Sequence, residues 1–201
     1  MSEVKPARGV EFGVTIPVLI VGAGAGGLCA ALAAKEAGAA PVVIERDAVP
    51  SGSTALSAGL IPAAGTRFQA AKGIADNPQT FAADIQRKAK NAADAEVVQA
   101  VTEAAGGLIE WLADSYGLPF DVVDNFNYPG HSAMRMHGLP SRSGAELIDR
   151  LCPCWRVAAP ARVLFAARMR LPRTNVRMHI SNDFDRIAPF SRRARILDSN
   201  L

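Results

Sequence analysis

The stretch that decides the fold is Val18-Leu-Ile-Val-Gly-Ala-Gly-Ala-Gly-Gly27, an aliphatic run that ends in a glycine-rich turn. A short apolar run closed by glycines predicts a buried parallel strand. The alanine- and leucine-rich residues up to Gly38 predict a helix, with that glycine as its stop signal. Pro41-Val-Val-Ile-Glu45 predicts a second strand. The order strand, glycine turn, helix, strand indicates a βαβ unit, and therefore an α/β fold with a parallel sheet.

The glycines of the turn have the spacing Gly22-x-Gly24-x-x-Gly27. In this pattern the first glycine allows a tight turn, the second lets a pyrophosphate approach the backbone, and the third lets the helix pack on the strand. The phosphates would lie at the helix N-terminus, where N–H groups and the helix dipole favour anions. Glu45 stands about 20 residues after Gly22, the spacing expected for an acid that binds ribose hydroxyls. These residues predict a dinucleotide site for either FAD or NAD, and a glycine turn without a ligand stays open.

Three stretches, Val18–Leu28, Val42–Arg46 and Ser51–Gly59, together resemble the fumarate reductase/succinate dehydrogenase flavoprotein family, which includes soluble fumarate reductases and ketosteroid dehydrogenases. The resemblance implies a Rossmann-like FAD-binding domain, with FAD as cofactor and a small molecule as substrate. It implies an oxidoreductase that moves hydride to or from an activated C–C bond. In the family, the loop after the ribose acid lies along the flavin. The cofactor-binding residues so implied are Gly22, Gly24, Gly26, Gly27, Glu45, Arg46, Ser53, Thr54, Ser57 and Gly59.

A further segment, Met134-Arg-Met-His137, is similar to an Arg-x-His segment of the same family. This similarity implies that Arg135 and His137 lie near the flavin or its phosphates. The residues alone fit a second interpretation equally well, in which Arg135 is solvated and His137 is hydrogen-bonded in a loop. No residue indicates a catalytic acid or base. The C-x-C spacing of Cys152 and Cys154 lacks the second pair that a metal site requires, so no metal is predicted.

Helical periodicity and breaker residues predict the remaining elements. A long helix is expected from Ala95 to Tyr116, with Asp94 as its N-cap. Its buried face is predicted to contain Val97, Val101, Ala104, Leu108 and Leu112. The other expectations are a helix over Pro78–Asn91, a strand over Leu118–Val123, a capped helix over Ser143–Leu151, and loops over Ser51–Gly65 and Asn125–Ser141.

The chain has 201 residues, of which 49% are hydrophobic and 20% charged, as in a globular protein. No apolar run approaches the roughly 20 residues of a membrane span, and no secretory signal precedes the first strand. Three cysteines do not form a disulfide framework. A cytoplasmic protein without a membrane span is therefore expected, and its oligomeric state stays open.

The composition changes at Cys152. The residues from there to the end contain ten arginines, no lysine, three aspartates and no glutamate. The predicted organisation is an amino-terminal extension (1–15), a partial FAD-binding domain (16–151) and an irregular Arg-rich tail (152–201), hypothesised to be read in a shifted frame. No nucleic-acid motif accompanies these arginines, so no nucleic-acid partner is expected.

The resemblance covers only the amino-terminal part of the family, whose members are much longer. It therefore predicts a truncated form that holds FAD weakly or not at all and lacks the capping and substrate-binding region. Two alternatives remain open at this point. One is a nucleotide-binding module without catalysis, and the other is an NAD-dependent Rossmann enzyme.

Overall fold

The computed structural model describes residues 16–47, 49–157 and 163–165. The chain divides into two compact units. The first is formed by the residues before Ser51 and after Cys154, and the second is Ser51–Cys154.

The first unit contains a three-stranded sheet, with β1 (Val18–Val21), β2 (Pro41–Glu45) and β6 (Val163–Phe165) in the order β1-β2-β6. Both strand pairs are parallel, and Val18 lies opposite Pro41 in the register. Helix α1 (Ala25–Glu36) connects β1 to β2. These elements confirm the predicted βαβ unit and the parallel sheet.

Helix α1 is held to the sheet by a short apolar stripe of Leu28, Ala31 and Leu32, all fully buried. The backbone enters the left-handed region at Gly38, with φ of +81°. Glycine adopts this conformation without a steric penalty, and the helix ends just before it. The predicted stop signal is thus confirmed.

The second unit combines a small antiparallel sheet with five helices. The sheet has the order β3-β5-β4. Its strands are β3 (Ile61–Pro62), β4 (Asp121–Val122) and β5 (Met136–Gly138). Its helices are α2 (Ser53–Leu56), α3 (Arg67–Ala71), α4 (Pro78–Lys88), α5 (Ala95–Tyr116) and α6 (Gly144–Val157). Helix α6 continues past Cys154, where the unit ends.

The longest helix, α5, begins where its capping residue predicts. Asp94 accepts hydrogen bonds from the backbone N–H groups of Glu96 and Val97 at 3.0 and 3.1 Å, so it caps α5 as expected. Helix α5 is continuous through Gly106, where an added Cβ would lie 2.8 Å from the carbonyl oxygen of Ala64. The glycine therefore permits a close backbone contact instead of breaking the helix.

Four of the five residues predicted for the buried face of α5 are wrong by one position. Val97 and Val101 are 60% and 54% exposed. Val98, Thr102, Ala105 and Ile109 are buried instead of the residues that precede each of them, and Leu112 is buried as predicted. Thr102 concealed this stripe because a polar residue stands at its centre. Its hydroxyl donates to the carbonyl of Val98 at 2.9 Å, which satisfies the hydroxyl inside the core.

Several short elements lie inside segments that were predicted as loops. Strand β3 and helix α2 fall within Ser51–Gly65, and β5 falls within Asn125–Ser141. Helix α3 begins with a reciprocal capping box, in which Thr66 accepts from the backbone of Gln69 and the Gln69 side chain accepts from the backbone of Thr66. Two or three residues per strand are too few to produce a detectable alternation.

Helix α6 continues to Val157 and does not end at Leu151 as predicted. Beyond it, β6 adds a parallel strand to β2, with Val163 opposite Val43. The rest of the Arg-rich tail and the amino-terminal extension lie outside the described residues, so the frame-shift hypothesis stays a prediction. Among the helices that the structure describes, none is both long and apolar enough to cross a membrane.

Candidate functional site

The glycine turn joins the end of β1 to the start of α1. Gly22 has φ of +101°, and its N–H donates to the carbonyl of Ile44 in β2 at 2.7 Å. An added Cβ at Gly27 would lie 2.0 Å from the carbonyl oxygen of Gly22. No other residue fits at this position, because two backbone segments already touch there. The observed contact is the close helix–strand packing expected of the third glycine.

The space in front of the α1 N-terminus suits an anion. Gly24 is the N-cap residue, no side chain caps the helix, and its first turn contains no acidic residue. A Cβ at Gly26 would meet nothing within 4 Å. Backbone N–H groups at a helix N-terminus and the positive end of the helix dipole both favour phosphate oxygens. The turn therefore fits a dinucleotide pyrophosphate.

Glu45 closes the same site from the end of β2. Its Oε2 accepts from the backbone N–H of Ala23 at 2.7 Å, and its Oε1 accepts from that of Asp47 at 3.1 Å. The hydrogen bond from Ala23, the largest influence, holds the pKa of Glu45 below its ordinary value. A carboxylate has about four lone-pair sites, so capacity remains for ribose hydroxyls. Glu45 thus ties the glycine turn to β2 and keeps a charged acceptor beside it.

Arg46 follows Glu45 but is exposed. Its guanidinium forms an ion pair with the neighbouring Asp47, with Nη2 and Oδ2 3.0 Å apart. The hydrogen bond from this guanidinium to Asp47 raises the pKa of Arg46. Arg46 therefore stays charged at the rim of the first unit.

The loop that the resemblance places along the flavin lies in the second unit. Ser53 and Thr54 form the first turn of α2, and Ser57 and Gly59 follow it. The Ser57 hydroxyl donates to the carbonyl of Thr54 at 2.7 Å and accepts from the N–H of Gly59 at 3.0 Å. These internal bonds occupy the Ser57 hydroxyl.

Arg135 is neither solvated nor placed to meet a phosphate. The side chain is fully buried, as are those of its two partners Asp76 and Asp84. Nε lies 2.9 Å from Asp76 and Nη1 lies 2.7 Å from Asp84, while the guanidinium stacks 4.7 Å from the Phe81 ring centroid. The prediction of a solvated arginine is wrong, and the guanidinium is held by carboxylates instead of facing a cofactor.

Asp84 is an unusually stable carboxylate. Burial alone would raise its pKa, but hydrogen bonds from the backbone and hydroxyl of Ser132, from Arg87 and from Arg135 outweigh that effect. The net result is a pKa well below the usual range. Because the carboxylate stays charged at neutral pH, it stabilises the buried guanidinium of Arg135.

His137 is a buried residue of β5, so the predicted hydrogen-bonded histidine is found in a strand and not in a loop. Its Nδ1 lies 2.9 Å from the carbonyl oxygen of Arg135, and its Nε2 lies 2.8 Å from the hydroxyl of Thr66. The carbonyl can only accept, so Nδ1 carries the proton and Nε2 accepts from Thr66. Burial lowers the pKa of His137, which keeps the ring neutral. Both nitrogens are engaged, and neither is available to a substrate.

Two features of the structure were not predicted from the sequence, namely the partners of Arg135 and the contact made by Gly144. The aspartates that neutralise Arg135 lie 59 and 51 residues before it, and no local pattern links such distant positions. Gly144 contacts the Ser53–Gly59 loop. The sequence predicted it only as part of a capping box that begins at Ser143. In the structure, Glu146 accepts from the backbone and hydroxyl of Ser141, and not from the N-cap residue Ser143.

Comparison with known proteins bears on the cofactor. A family model described as FAD binding domain matches residues 17–179, so the match continues past Leu151, where the resemblance was expected to stop. Urocanate reductase of Eggerthella lenta is 32% identical over 136 residues, which cover 68% of this chain and 22% of that protein. A probable fumarate reductase of Shewanella frigidimarina is 34% identical over 141 residues, which cover 68% of this chain and 23% of that protein.

Solved structures give the same result. A flavocytochrome c3 fumarate reductase in its open conformation matches with a TM-score of 0.69 and 29% identity, over 78% of this chain and 28% of that one. A 3-ketosteroid-delta4-(5alpha)-dehydrogenase from Rhodococcus jostii matches in fold, with a TM-score of 0.65 and 24% identity, over 79% of this chain and 39% of that one. The chain spans only 22–23% of the length of these two curated relatives. It belongs to the FAD binding domain family found in fumarate and urocanate reductases, and its cofactor is FAD.

Proposed function

We propose that this chain provides the FAD-binding part of an oxidoreductase that reduces or forms an activated C–C double bond. The observation that carries the proposal is the glycine turn, with Gly27 packed on the Gly22 carbonyl and an uncapped α1 N-terminus beside Glu45. This arrangement combines the positive end of a helix with a charged hydrogen-bond acceptor, as the diphosphate and ribose of one nucleotide require.

Each part of the site has a separate role in the proposal. The backbone of Gly22, Gly24, Gly26 and Gly27 would hold the pyrophosphate, and Glu45 would accept from the ribose hydroxyls. Arg46 would add positive charge at the rim. The loop of Ser53, Thr54, Ser57 and Gly59 would lie along the flavin end of the cofactor.

FAD, when bound, supplies the hydride chemistry, and the protein supplies position and electrostatics. His137 does not move the accompanying proton, because it is buried and both its nitrogens are engaged. No proton donor is assigned within the part of the chain that the structure describes. This chain's own residues therefore act by binding and orientation.

The relatives indicate which substrates to test. They are named as reductases of fumarate and urocanate, two unsaturated carboxylates. The full chain, loaded with FAD, would be mixed anaerobically with a reduced viologen and either acid, and dye oxidation would be followed by absorbance. Substrate-dependent oxidation supports the oxidoreductase. A chain that binds FAD but oxidises the dye no faster with substrate would instead be a non-catalytic nucleotide-binding module.

Glu45→Gln tests the ribose contact. The amide keeps one acceptor oxygen but loses the charge and turns an NH₂ group toward a backbone N–H. We expect the dissociation constant of FAD to rise about tenfold, which is about 1.4 kcal/mol. Flavin fluorescence titration measures this change. The exposed Glu103→Gln, which makes the same chemical change on α5, is expected to leave FAD affinity unaltered, and an equal loss in both variants would contradict the assignment.

The same residue gives a pH dependence. Because folding lowers the pKa of Glu45 below the ordinary value of 4.5, its contribution to stability is fully present above pH 4.5. That contribution is lost as the pH falls through the lower pKa of the folded state. Urea denaturation between pH 3 and 7 gives the free energy of unfolding of the wild type and of Glu45→Gln. We expect the two free energies to approach each other at acid pH. A difference that stays constant with pH would contradict this role of the Glu45 carboxylate.

A further inference from the structure

The Ser53–Gly59 loop is fixed to the start of α6 at what we call the loop–helix junction, formed by Thr54, Ser57, Gly59, Ser143 and Gly144. The N–H of Gly144 donates to the carbonyl of Ser57 at 2.9 Å. An added Cβ at Gly144 would lie 1.6 Å from the carbonyl oxygen of Thr54 and 2.7 Å from Oγ of Ser57. The loop and the helix therefore meet backbone to backbone.

A second glycine makes the same contact from the other side. Gly59 has φ of +62°, and an added Cβ would lie 2.6 Å from the carbonyl oxygen of Ser143. Side chains rarely adopt this conformation, and the space is already filled by backbone. Two glycines that are distant in sequence thus allow a single contact between the loop and α6.

One side of the loop is therefore in contact with the start of α6, and the other side, which we call the open side, is exposed to solvent. The Ser57 hydroxyl is used within the loop, by Thr54 and Gly59. On the open side, Ser53 and Ala58 are exposed, and Leu56 is 85% exposed. Helix α6 is anchored by side chains with almost no exposure, namely Leu147, Ile148 and Leu151. A clash at the junction would therefore displace the loop and not the helix.

We propose that Gly59 and Gly144 are positioning residues that set the open side of the loop for the flavin end of FAD. The inference rests on the proposed function, since it uses the placement of this loop along the flavin. It adds that the position of the loop is determined by α6, through a contact that tolerates no side chain. The ADP end of the cofactor would bind the glycine turn and Glu45, which belong to the other unit and make no use of the junction.

Gly144→Ala in the full chain tests the proposal through the ratio of two affinities. The dissociation constants of FAD and of ADP would be measured by fluorescence titration and by calorimetry. We expect the constant for FAD to rise about tenfold or more, and that for ADP to change by less than about twofold. The matched control is Gly106→Ala, which places a Cβ 2.8 Å from the Ala64 carbonyl in the same unit but away from the junction. It is expected to preserve the ratio.

Ser57→Ala serves as a second variant, because it removes the internal hydrogen bonds of the loop without a clash and remains informative if Gly144→Ala fails to fold. It should weaken FAD binding in the same direction, by about threefold, and leave ADP binding unchanged. An unchanged ratio in these variants, or an equal loss in Gly106→Ala, overturns the positioning role alone. A wild-type chain that binds ADP but not FAD, or neither, overturns the proposed function itself and the inference with it.

Discussion

Arg135→Met is expected to lower the free energy of unfolding of the Ser51–Cys154 unit by about 3–5 kcal/mol at neutral pH. Methionine fills most of the space but leaves Asp76 buried without its guanidinium partner, and leaves Asp84 with Arg87 as its remaining cation. Removing one partner of a buried ion pair costs more than the pair contributes, since the uncompensated charge cannot reach water. Urea denaturation followed by circular dichroism measures the change.

The effect of Arg135→Met depends on pH in a way that a simple packing defect would not. In the wild type, the low pKa of Asp84 stabilises the folded state fully above pH 3.8, the ordinary pKa of this group. This stabilisation is lost as the pH falls through the lower pKa of the folded state. In the variant the Arg135 guanidinium is absent, so acidification neutralises an Asp84 carboxylate that is less well compensated. We therefore expect the destabilisation to be smaller at pH 3 than at pH 7. A pH-independent difference would show that packing, and not charge, dominates.

The control is Arg67→Met, which removes a guanidinium of the same unit that pairs with Asp114 at the surface. Both side chains are exposed, so water screens the pair and compensates its loss. We therefore expect a much smaller loss of stability than in Arg135→Met. Equal effects in the two variants would contradict the distinction between the buried and the exposed pair.

Gly27→Ala is expected to destabilise the first unit by about 2–3 kcal/mol and to weaken FAD binding. The new methyl group would lie 2.0 Å from the Gly22 carbonyl oxygen, so α1 must move away from the turn. The N–H groups that would face the pyrophosphate move with the helix. Affinity should fall about a hundredfold, measured by flavin fluorescence titration.

Gly26→Ala is the matched control for stability, because its Cβ would meet nothing within 4 Å. Alanine is the better helix former, so the free energy of unfolding should stay constant or rise by up to about 1 kcal/mol. If Gly27→Ala proves as stable as Gly26→Ala, the close packing of the turn is not required.

The features that the sequence predicted correctly are those with local causes. The βαβ unit follows from a strand, a turn and a helix that are adjacent in the chain. The start of α5 follows from the Asp94 side chain and the N–H groups two and three residues later. In both cases the residues that interact are close enough in sequence for their spacing to be informative.

The features that were missed depend on residues distant in sequence or on a polar residue inside the core. Arg135 finds its partners more than 50 residues away, and Gly144 contacts a loop about 85 residues before it. The predicted buried face of α5 differs from the observed one because it left out the polar Thr102. The Thr102 hydroxyl donates to a carbonyl of its own helix, so this residue can be buried. Spacing alone gives no access to such contacts.

The trio of Asp76, Asp84 and Arg135 also has a consequence for how the protein can evolve. Losing Arg135 leaves the two buried aspartates without its guanidinium, whereas exchanging all three for apolar residues of similar volume costs little or nothing. A path that removes Arg135 first passes through a destabilised intermediate, so the order in which the three residues are exchanged matters. We expect natural homologues that lack Arg135 to lack Asp76 as well, so that these two positions covary.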